Sequence, residues 1–119
     1  MSKKKILICD DEEGIRESLN LILGDDYDLA FKTNGKEALD YLKNHSPDLV
    51  IMDIKMPLKN GLEALRELRK DKLDLKVIVI TGYQSMETAR ETMKYGISEY
   101  ITKPFEGSAV KETIKKILQ

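Results

Sequence analysis

The sequence predicts an α/β fold in which five βα units form one parallel, doubly wound sheet with helices on both faces. Short apolar runs rich in β-branched residues recur along the chain, and segments with helical apolar spacing separate them. Glycine and proline residues mark several of the junctions. Strands that are apolar at every position need cover on both faces, and right-handed crossovers leave few other arrangements.

Two kinds of pattern predict the strands. Four runs are apolar on both faces, as expected inside a parallel sheet. The remaining run alternates Tyr27, Leu29 and Phe31, which is typical of an edge strand with one face in water. In chain order, the predicted strands cover residues 5–9, 27–32, 48–52, 77–81 and 97–102.

The helices are predicted from apolar residues spaced three and four apart. Asn34 and Gly35 are expected to open the second helix, Pro47 follows its end, and Gly96 is placed to close the fourth. The stripes expected to face the core are Ile15, Leu19, Ile22 and Leu23; Leu62, Leu65 and Leu68; Met86, Ala89 and Met93; and Val110, Ile114, Ile117 and Leu118.

Length and composition restrict the class of protein. The 119 residues suit one domain, and 41% hydrophobic with 34% charged residues is a globular composition. A formal net charge of −1 gives no electrostatic reason to expect direct binding of nucleic acid or of an anionic membrane. The single cysteine, Cys9, is expected in the core and needs no oxidising compartment. We therefore expect one cytoplasmic domain over residues 1–119.

Polar side chains stand at the carboxyl ends of four predicted strands. The carboxyl ends of parallel strands meet at one edge of the sheet, where ligands of open α/β sheets bind. A helix cap, a turn, an ordinary strand end or a surface lysine would explain the individual residues, but not the convergence of all of them. The converging residues are Asp10 and Asp11 after the first strand, Asp53 after the third, Thr81 in the fourth and Lys103 after the fifth.

Such a set of side chains is suited to accepting a phosphoryl group. Neighbouring carboxylates repel one another unless a cation neutralises them, and a hard ion such as Mg²⁺, or Mn²⁺, suits an oxygen-only site. Asp53 can then act as a nucleophile that forms an aspartyl phosphate. The ion and Lys103 would stabilise charge on the transferring oxygens, while Thr81 and backbone N–H groups supply hydrogen bonds.

These residues resemble the signature of receiver domains in the response regulators of two-component signalling. The resemblance spans about residues 4–118 and implies a flavodoxin-like sheet with strand order 2-1-3-4-5. It implies a phosphoacceptor signalling domain, not an enzyme acting on an external substrate, which assists its own phosphorylation and dephosphorylation. The matching segments are Asp10-Asp11, Asp53-Ile-Lys-Met-Pro57 with Gly61, Thr81-Gly82 and Lys103-Pro104-Phe105.

The resemblance also implies partners and a metal site. A sensor histidine kinase or a histidine phosphotransfer protein would supply the phosphoryl group to Asp53, and an output domain or protein would respond. Asp11, Asp53 and the backbone carbonyl of Lys55 would bind Mg²⁺ directly, with Asp10 orienting a metal-bound water. Whether the domain stands alone or begins a longer regulator stays open.

A conformational switch is implied by the same resemblance. Lys103 would pair with the phosphoryl group, Thr81 would turn inward to bond it, and Tyr100 matches the family's switch aromatic. Phosphorylation would shift the surface formed by the fourth helix, the fifth strand and the fifth helix. The resemblance further implies a cis peptide bond between Lys103 and Pro104.

Two residues are expected at the mouth of the pocket. Lys55 lies two positions after Asp53, and Tyr83 lies two positions after Thr81. Hydrolysis of an aspartyl phosphate needs a water in line with the phosphorus, so both side chains would narrow its path. The pairing of Lys and Tyr resembles the single-domain intermediates of sporulation-type phosphorelays, in which a durable phosphate is passed onward.

Other functions fit the sequence less well. A flavodoxin-like electron carrier needs a loop after the first strand that cradles a phosphate, but residues 10–14 carry four acidic side chains. The P-loop motif is absent. A receiver-like scaffold that works without phosphorylation is the remaining alternative, and the complete set of site residues argues against it. His45, the only histidine, is expected to be an ordinary exposed residue.

Overall fold

A computed structural model of the chain describes residues 3–82 and 86–119. The strands are β1 (Lys5–Cys9), β2 (Asp28–Lys32), β3 (Leu49–Met52), β4 (Val77–Thr81) and β5 (Glu99–Thr102). The helices are α1 (Glu13–Leu23), α2 (Gly35–Asn44), α3 (Gly61–Asp71), α4 (Met86–Met93) and α5 (Gly107–Ile117). Within these two ranges, no helix is long and apolar enough to cross a membrane.

The sheet is parallel and has the strand order β2-β1-β3-β4-β5. The predicted fold is therefore confirmed, including the edge position of β2. The expectation that the last strand is covered on both faces is wrong, because β5 is the other edge strand and is only partly buried. The strands β2, β3 and β5 begin one or two residues later than the sequence pattern predicts. Chain order reverses between β1 and β3, and in such sheets this switch point opens a crevice at the carboxyl edge.

The three inner strands divide their side chains between two core layers. Alternate residues of β1 show the division: Ile6 and Ile8 pack towards α1 and α5, whereas Leu7 and Cys9 pack towards α2 and α3. This period of two is what a strand buried on both faces requires. Cys9 is fully buried, and burial first, then nearby carboxylates, raises its pKa to about 12, so it is an unreactive core residue.

The predicted inward stripe of α4 is wrong. Met86 and Met93 are 72% and 60% exposed, and Ala89 is only partly buried. The helix has eight residues and buries Thr92 instead, whose hydroxyl donates a hydrogen bond to the Ala89 carbonyl at 2.8 Å. Thr92 can lie in the core because the helix itself satisfies its hydroxyl.

Local interactions fix the connection from β3 to α3. Asn60 and Glu63 form a capping box, in which each side chain accepts a hydrogen bond from the backbone N–H of the other residue. The Gly61 N–H donates to the Ile54 carbonyl at 2.8 Å. A Cβ atom on Gly61 would overlap the Asp53 carbonyl oxygen, so glycine is required for this close approach.

Leu58 adopts a left-handed backbone conformation in the same connection. Its φ is +65°, its side chain is 83% exposed, and a branched side chain is disfavoured in this region. Leu58→Gly is expected to increase the free energy of unfolding by about 0.5–1 kcal/mol, because strain is relieved and little burial is lost. Chemical denaturation measures this change. Leu58→Ala is the control, since alanine keeps the strain, and an equal gain in both variants would contradict the explanation.

Candidate functional site

Backbone hydrogen bonds that continue the sheet position the key residues at the carboxyl ends of the strands. The Asp53 N–H donates to the Cys9 carbonyl at 3.0 Å, which continues the β1–β3 pairing and sets Asp53 beside Asp10. The Lys103 N–H donates to the Thr81 carbonyl at 2.9 Å, so β5 delivers Lys103 to the same edge. The convergence expected from the strand ends is thus present.

Lys103 lies at the centre of three carboxylates. Its Nζ is 2.9 Å from Asp10 Oδ2, 3.0 Å from Asp53 Oδ2 and 2.9 Å from Glu12 Oε1. The Lys103 side chain is 11% exposed, and those of Asp10 and Asp53 are each 4% exposed. Glu12 differs, because its side chain is 59% exposed. An ammonium group therefore offsets much of the carboxylate repulsion in this pocket.

The other oxygens of the two buried aspartates face backbone N–H groups. Asp10 Oδ1 accepts a hydrogen bond from the Glu12 N–H at 2.9 Å, and Asp53 Oδ1 accepts one from the Lys55 N–H at 3.3 Å. Each aspartate thus uses one oxygen for a loop and the other for Lys103. These contacts hold the Asp53 carboxylate in orientation beside Lys103.

Burial and charge shift two pKa values at the site. Burial is the largest cause that raises the pKa of the Asp10 carboxyl, and hydrogen bonds from the Glu12 backbone and from Lys103 oppose it. Burial disfavours the charge of Lys103, but hydrogen bonds to Glu12, Asp10 and Asp53 outweigh it and raise the lysine pKa. Lys103 is consequently a permanent cation at neutral pH.

The donor set fits a hard divalent cation. One carboxylate oxygen from each of Asp10, Asp11, Glu12 and Asp53 lies within 4.8 Å of the others. These ligands are all oxygens, which Mg²⁺ and Mn²⁺ prefer, and Asp11 and Glu12 are exposed. The contribution of the Lys55 carbonyl remains a prediction from the resemblance.

A cavity of about 400 Å³ opens at this edge of the sheet. Lys55 is exposed and borders it, in line with the expected position at the mouth. Tyr83, the other residue expected there, lies outside the described residues. The residues that line the cavity are Asp11, Glu12, Asp53, Lys55, Thr81, Gly82 and Lys103.

The two residues of the implied switch share one face of the sheet. Thr81 is 1% exposed and follows Val79 by two positions, so both project to the same side of β4. Tyr100 pairs with Val79 and packs, partly buried, against the same core layer. The Lys103-Pro104 peptide bond is cis, as the resemblance implies.

Sequence reasoning missed the part played by Glu12. No site role is predicted for this residue from the sequence, whereas its carboxylate contacts Lys103, which is 91 positions away in the chain. The available signal was its place one residue after the aspartate pair, in the loop that follows β1. His45 is exposed and stacks on Tyr41 with ring centroids 4.1 Å apart, so it is an ordinary surface residue.

The fold and the site define a small doubly wound α/β domain with an acidic, lysine-containing pocket at the switch point of its sheet. The family described as "Response regulator receiver domain" matches residues 6–115. The chain therefore belongs to the receiver-domain family of response regulators.

Individual relatives agree with this assignment along nearly the whole chain. The chain is 36% identical to Chemotaxis protein CheY of Halobacterium salinarum over 116 residues, which cover 97% of each protein. It is 34% identical to Sporulation initiation phosphotransferase F of Bacillus subtilis, with 99% of this chain and 96% of that protein covered. The solved CheY-like receiver domain protein of Methanospirillum hungatei superposes with a TM-score of 0.93 at 34% identity, covering 98% and 94% of the two chains.

Proposed function

We propose that this receiver domain takes a phosphoryl group onto Asp53 from the phosphohistidine of a sensor kinase or phosphotransfer protein. The observation that carries the proposal is the placement of the Asp53 carboxylate. It is nearly buried, its Oδ2 contacts Lys103, and it borders a cavity that also reaches Thr81. A carboxylate in such a position is a suitable nucleophile towards phosphorus.

The proposed transfer step uses the groups that border this cavity. An oxygen of Asp53 attacks the phosphorus, and the new O–P bond forms as the P–N bond of the phosphohistidine breaks. The bonding electrons leave with the imidazole nitrogen, which takes up a proton. Lys103 and the Thr81 hydroxyl lie beside the same cavity and donate hydrogen bonds to the phosphoryl oxygens as their charge redistributes.

The acidic residues would hold the metal ion that this chemistry uses. Asp11, Asp53 and the Lys55 carbonyl are the proposed direct ligands, and Asp10 would orient a metal-bound water. Bound Mg²⁺ or Mn²⁺ would neutralise the repulsion between the carboxylates and the incoming phosphate. The close approach of the four carboxylate oxygens supports this assignment.

Phosphorylation would be read through Thr81 and Tyr100. If the Thr81 hydroxyl moves towards the phosphoryl group, it leaves space on its side of the sheet. Tyr100 lies on that side, two residues before Thr102, which pairs with Thr81. The proposed output surface is α4, β5 and α5, recognised by an output domain or protein. Family membership supports a cytoplasmic location and a role as a signalling domain that assists its own dephosphorylation.

The test is phosphorylation by a small donor followed by mapping of the modified residue. The chain is incubated with acetyl phosphate and Mg²⁺, and its intact mass is measured. We expect the mass of one phosphoryl group, on the peptide that contains Asp53, and none in EDTA. Labelling that persists in EDTA, or that maps to another residue, would contradict the proposal.

Lys55 is expected to prolong the life of the phosphate. Its side chain is exposed at the mouth of the cavity, where an ammonium group can lie against the phosphoryl oxygens and restrict the attacking water. Lys55→Asn is expected to accelerate self-dephosphorylation about threefold or more, a change of roughly 0.65 kcal/mol in barrier per threefold. Loss of phosphate from isolated protein in excess Mg²⁺ measures the rate. Lys36→Asn, an exposed lysine of α2, is the control, and a Lys55→Asn rate no faster than the parent's would refute the shielding.

A further inference from the structure

Lys103 uses all of its hydrogen-bond donors before any phosphoryl group arrives. A lysine ammonium has three N–H groups, and Lys103 Nζ has one carboxylate oxygen at 2.9–3.0 Å for each of them. While the incoming phosphoryl group is still on its donor, Asp53 keeps its charge and its contact with Lys103, so the phosphoryl oxygens need one of these donors in addition. One existing contact must therefore open, and the identity of that contact affects the reactivity of the pocket.

We infer that Glu12 is the positioning residue that holds Lys103 before phosphorylation and competes with the phosphoryl group for it. This inference rests on the proposed function of Asp53 and concerns the rate at which Asp53 is phosphorylated. Glu12 keeps the ammonium group oriented between Asp10 and Asp53, and it must withdraw when the phosphoryl oxygens take its place.

Exposure decides which of the three contacts is exchanged. The side chains of Asp10 and Asp53 are each 4% exposed, so an oxygen that lost Lys103 would meet little water. The Glu12 side chain is 59% exposed, and water can solvate its carboxylate as soon as it lets go. The oxygens of an incoming phosphoryl group are negatively charged acceptors, as the Glu12 carboxylate oxygens are. They can therefore take the place of Glu12 at the Lys103 ammonium group.

Glu13 provides a matched comparison for Glu12. It is the next residue, carries the same charge and is exposed on the first turn of α1. The three contacts of the Lys103 ammonium go to Asp10, Glu12 and Asp53, and none goes to Glu13. A neutral substitution at either position changes the overall charge equally, but only the change at Glu12 replaces an ion pair of Lys103 by a weaker neutral contact.

The experiment compares initial rates of phosphorylation by acetyl phosphate, below saturation and at Mg²⁺ concentrations shown by calorimetry to saturate each variant. Glu12→Gln is expected to be phosphorylated about two- to fivefold faster than the parent, the scale of an exposed ion pair. Glu13→Gln is expected to match the parent. A Glu12→Gln rate that is equal to or below that of the parent or of Glu13→Gln would overturn the inference.

A second background separates competition for Lys103 from simple repulsion of the donor. Lys103→Arg keeps the positive charge but offers five N–H donors, so a phosphoryl group can bind without displacing Glu12. In this background the gain from Glu12→Gln is expected to disappear, whereas an undiminished gain would show repulsion and overturn the inference. A labelled parent with no Glu12 effect leaves the proposed function standing, while an unlabelled parent overturns both.

Discussion

Asp53→Asn is expected to abolish phosphorylation by acetyl phosphate. Asparagine keeps the shape of the side chain and can still accept the Lys55 N–H, but its amide is not a nucleophile towards phosphorus. Of the three described carboxylates that line the cavity, Asp53 is buried, whereas Asp11 and Glu12 are exposed. Intact mass after incubation with Mg²⁺ and donor should show only the unmodified chain.

The control for this variant is Asp26→Asn, which removes an exposed carboxylate whose side chain is 56% exposed near Lys111. It should label at the parent's rate. In the parent, hydroxylamine should release the phosphate, as it does from an acyl phosphate. Full labelling of Asp53→Asn would exclude Asp53 as the acceptor, whatever happened to the other variants.

The fold was predictable because the apolar pattern of each inner strand indicates that the strand is buried on both faces. Runs such as Ile6–Cys9 are apolar at every position, and such runs demand helices on both sides of a parallel sheet. The order of the strands came from the resemblance, since periodicity alone does not choose between neighbours. The fold of such a chain can be predicted because its apolar pattern, its turn residues and its helix caps all indicate the same secondary structure.

Helix α4 shows where periodicity fails. Met86, Ala89 and Met93 have the spacing of a buried stripe, but the spacing does not say which face meets the sheet. The inward face of this helix instead contains Thr92 with the partly buried Thr88 and Ala89, so it is rotated from the expected stripe, and the Thr92 hydroxyl is satisfied within the helix. Thr92 is polar, and a pattern built on apolar residues alone misses it.

The site was predictable in outline and not in its contacts. Strand ends place Asp10, Asp53 and Lys103 at one edge, because topology fixes where parallel strands finish. Which atoms a long side chain contacts depends on the three-dimensional shape of the pocket. The spacing of residues along the sequence does not specify that shape. That is why the contact between Lys103 and Glu12, which joins the loop after β1 to the end of β5, emerged only from the structure.

Lys103→Met is expected to lower the free energy of unfolding of the metal-free protein by about 2–4 kcal/mol at neutral pH. The reason is that Asp10 and Asp53 are nearly buried and would lose their shared cation, which leaves uncompensated charge in the interior. Lys111→Met is the control. Lys111 is 3.6 Å from Asp26, both side chains are more than half exposed, and a change below about 1 kcal/mol is expected.

The pH dependence of this deficit tests its electrostatic origin. The pKa of Lys103 is raised in the folded state, so its stabilisation is complete below the ordinary lysine pKa and is lost only as the pH rises through the higher folded value. The pKa of Asp10 is also raised, chiefly by burial, so the folded protein takes up this proton at a higher pH than the unfolded chain. Acidification towards the ordinary aspartate range therefore stabilises the folded state through Asp10, and more so once Lys103 is gone. Urea denaturation should show the Lys103→Met deficit shrinking as the pH falls from neutral towards the ordinary aspartate range, and shrinking at neutral pH when Mg²⁺ is added. A deficit that is constant with pH and indifferent to Mg²⁺ would mean that Lys103 acts through packing of its side chain and not through its charge.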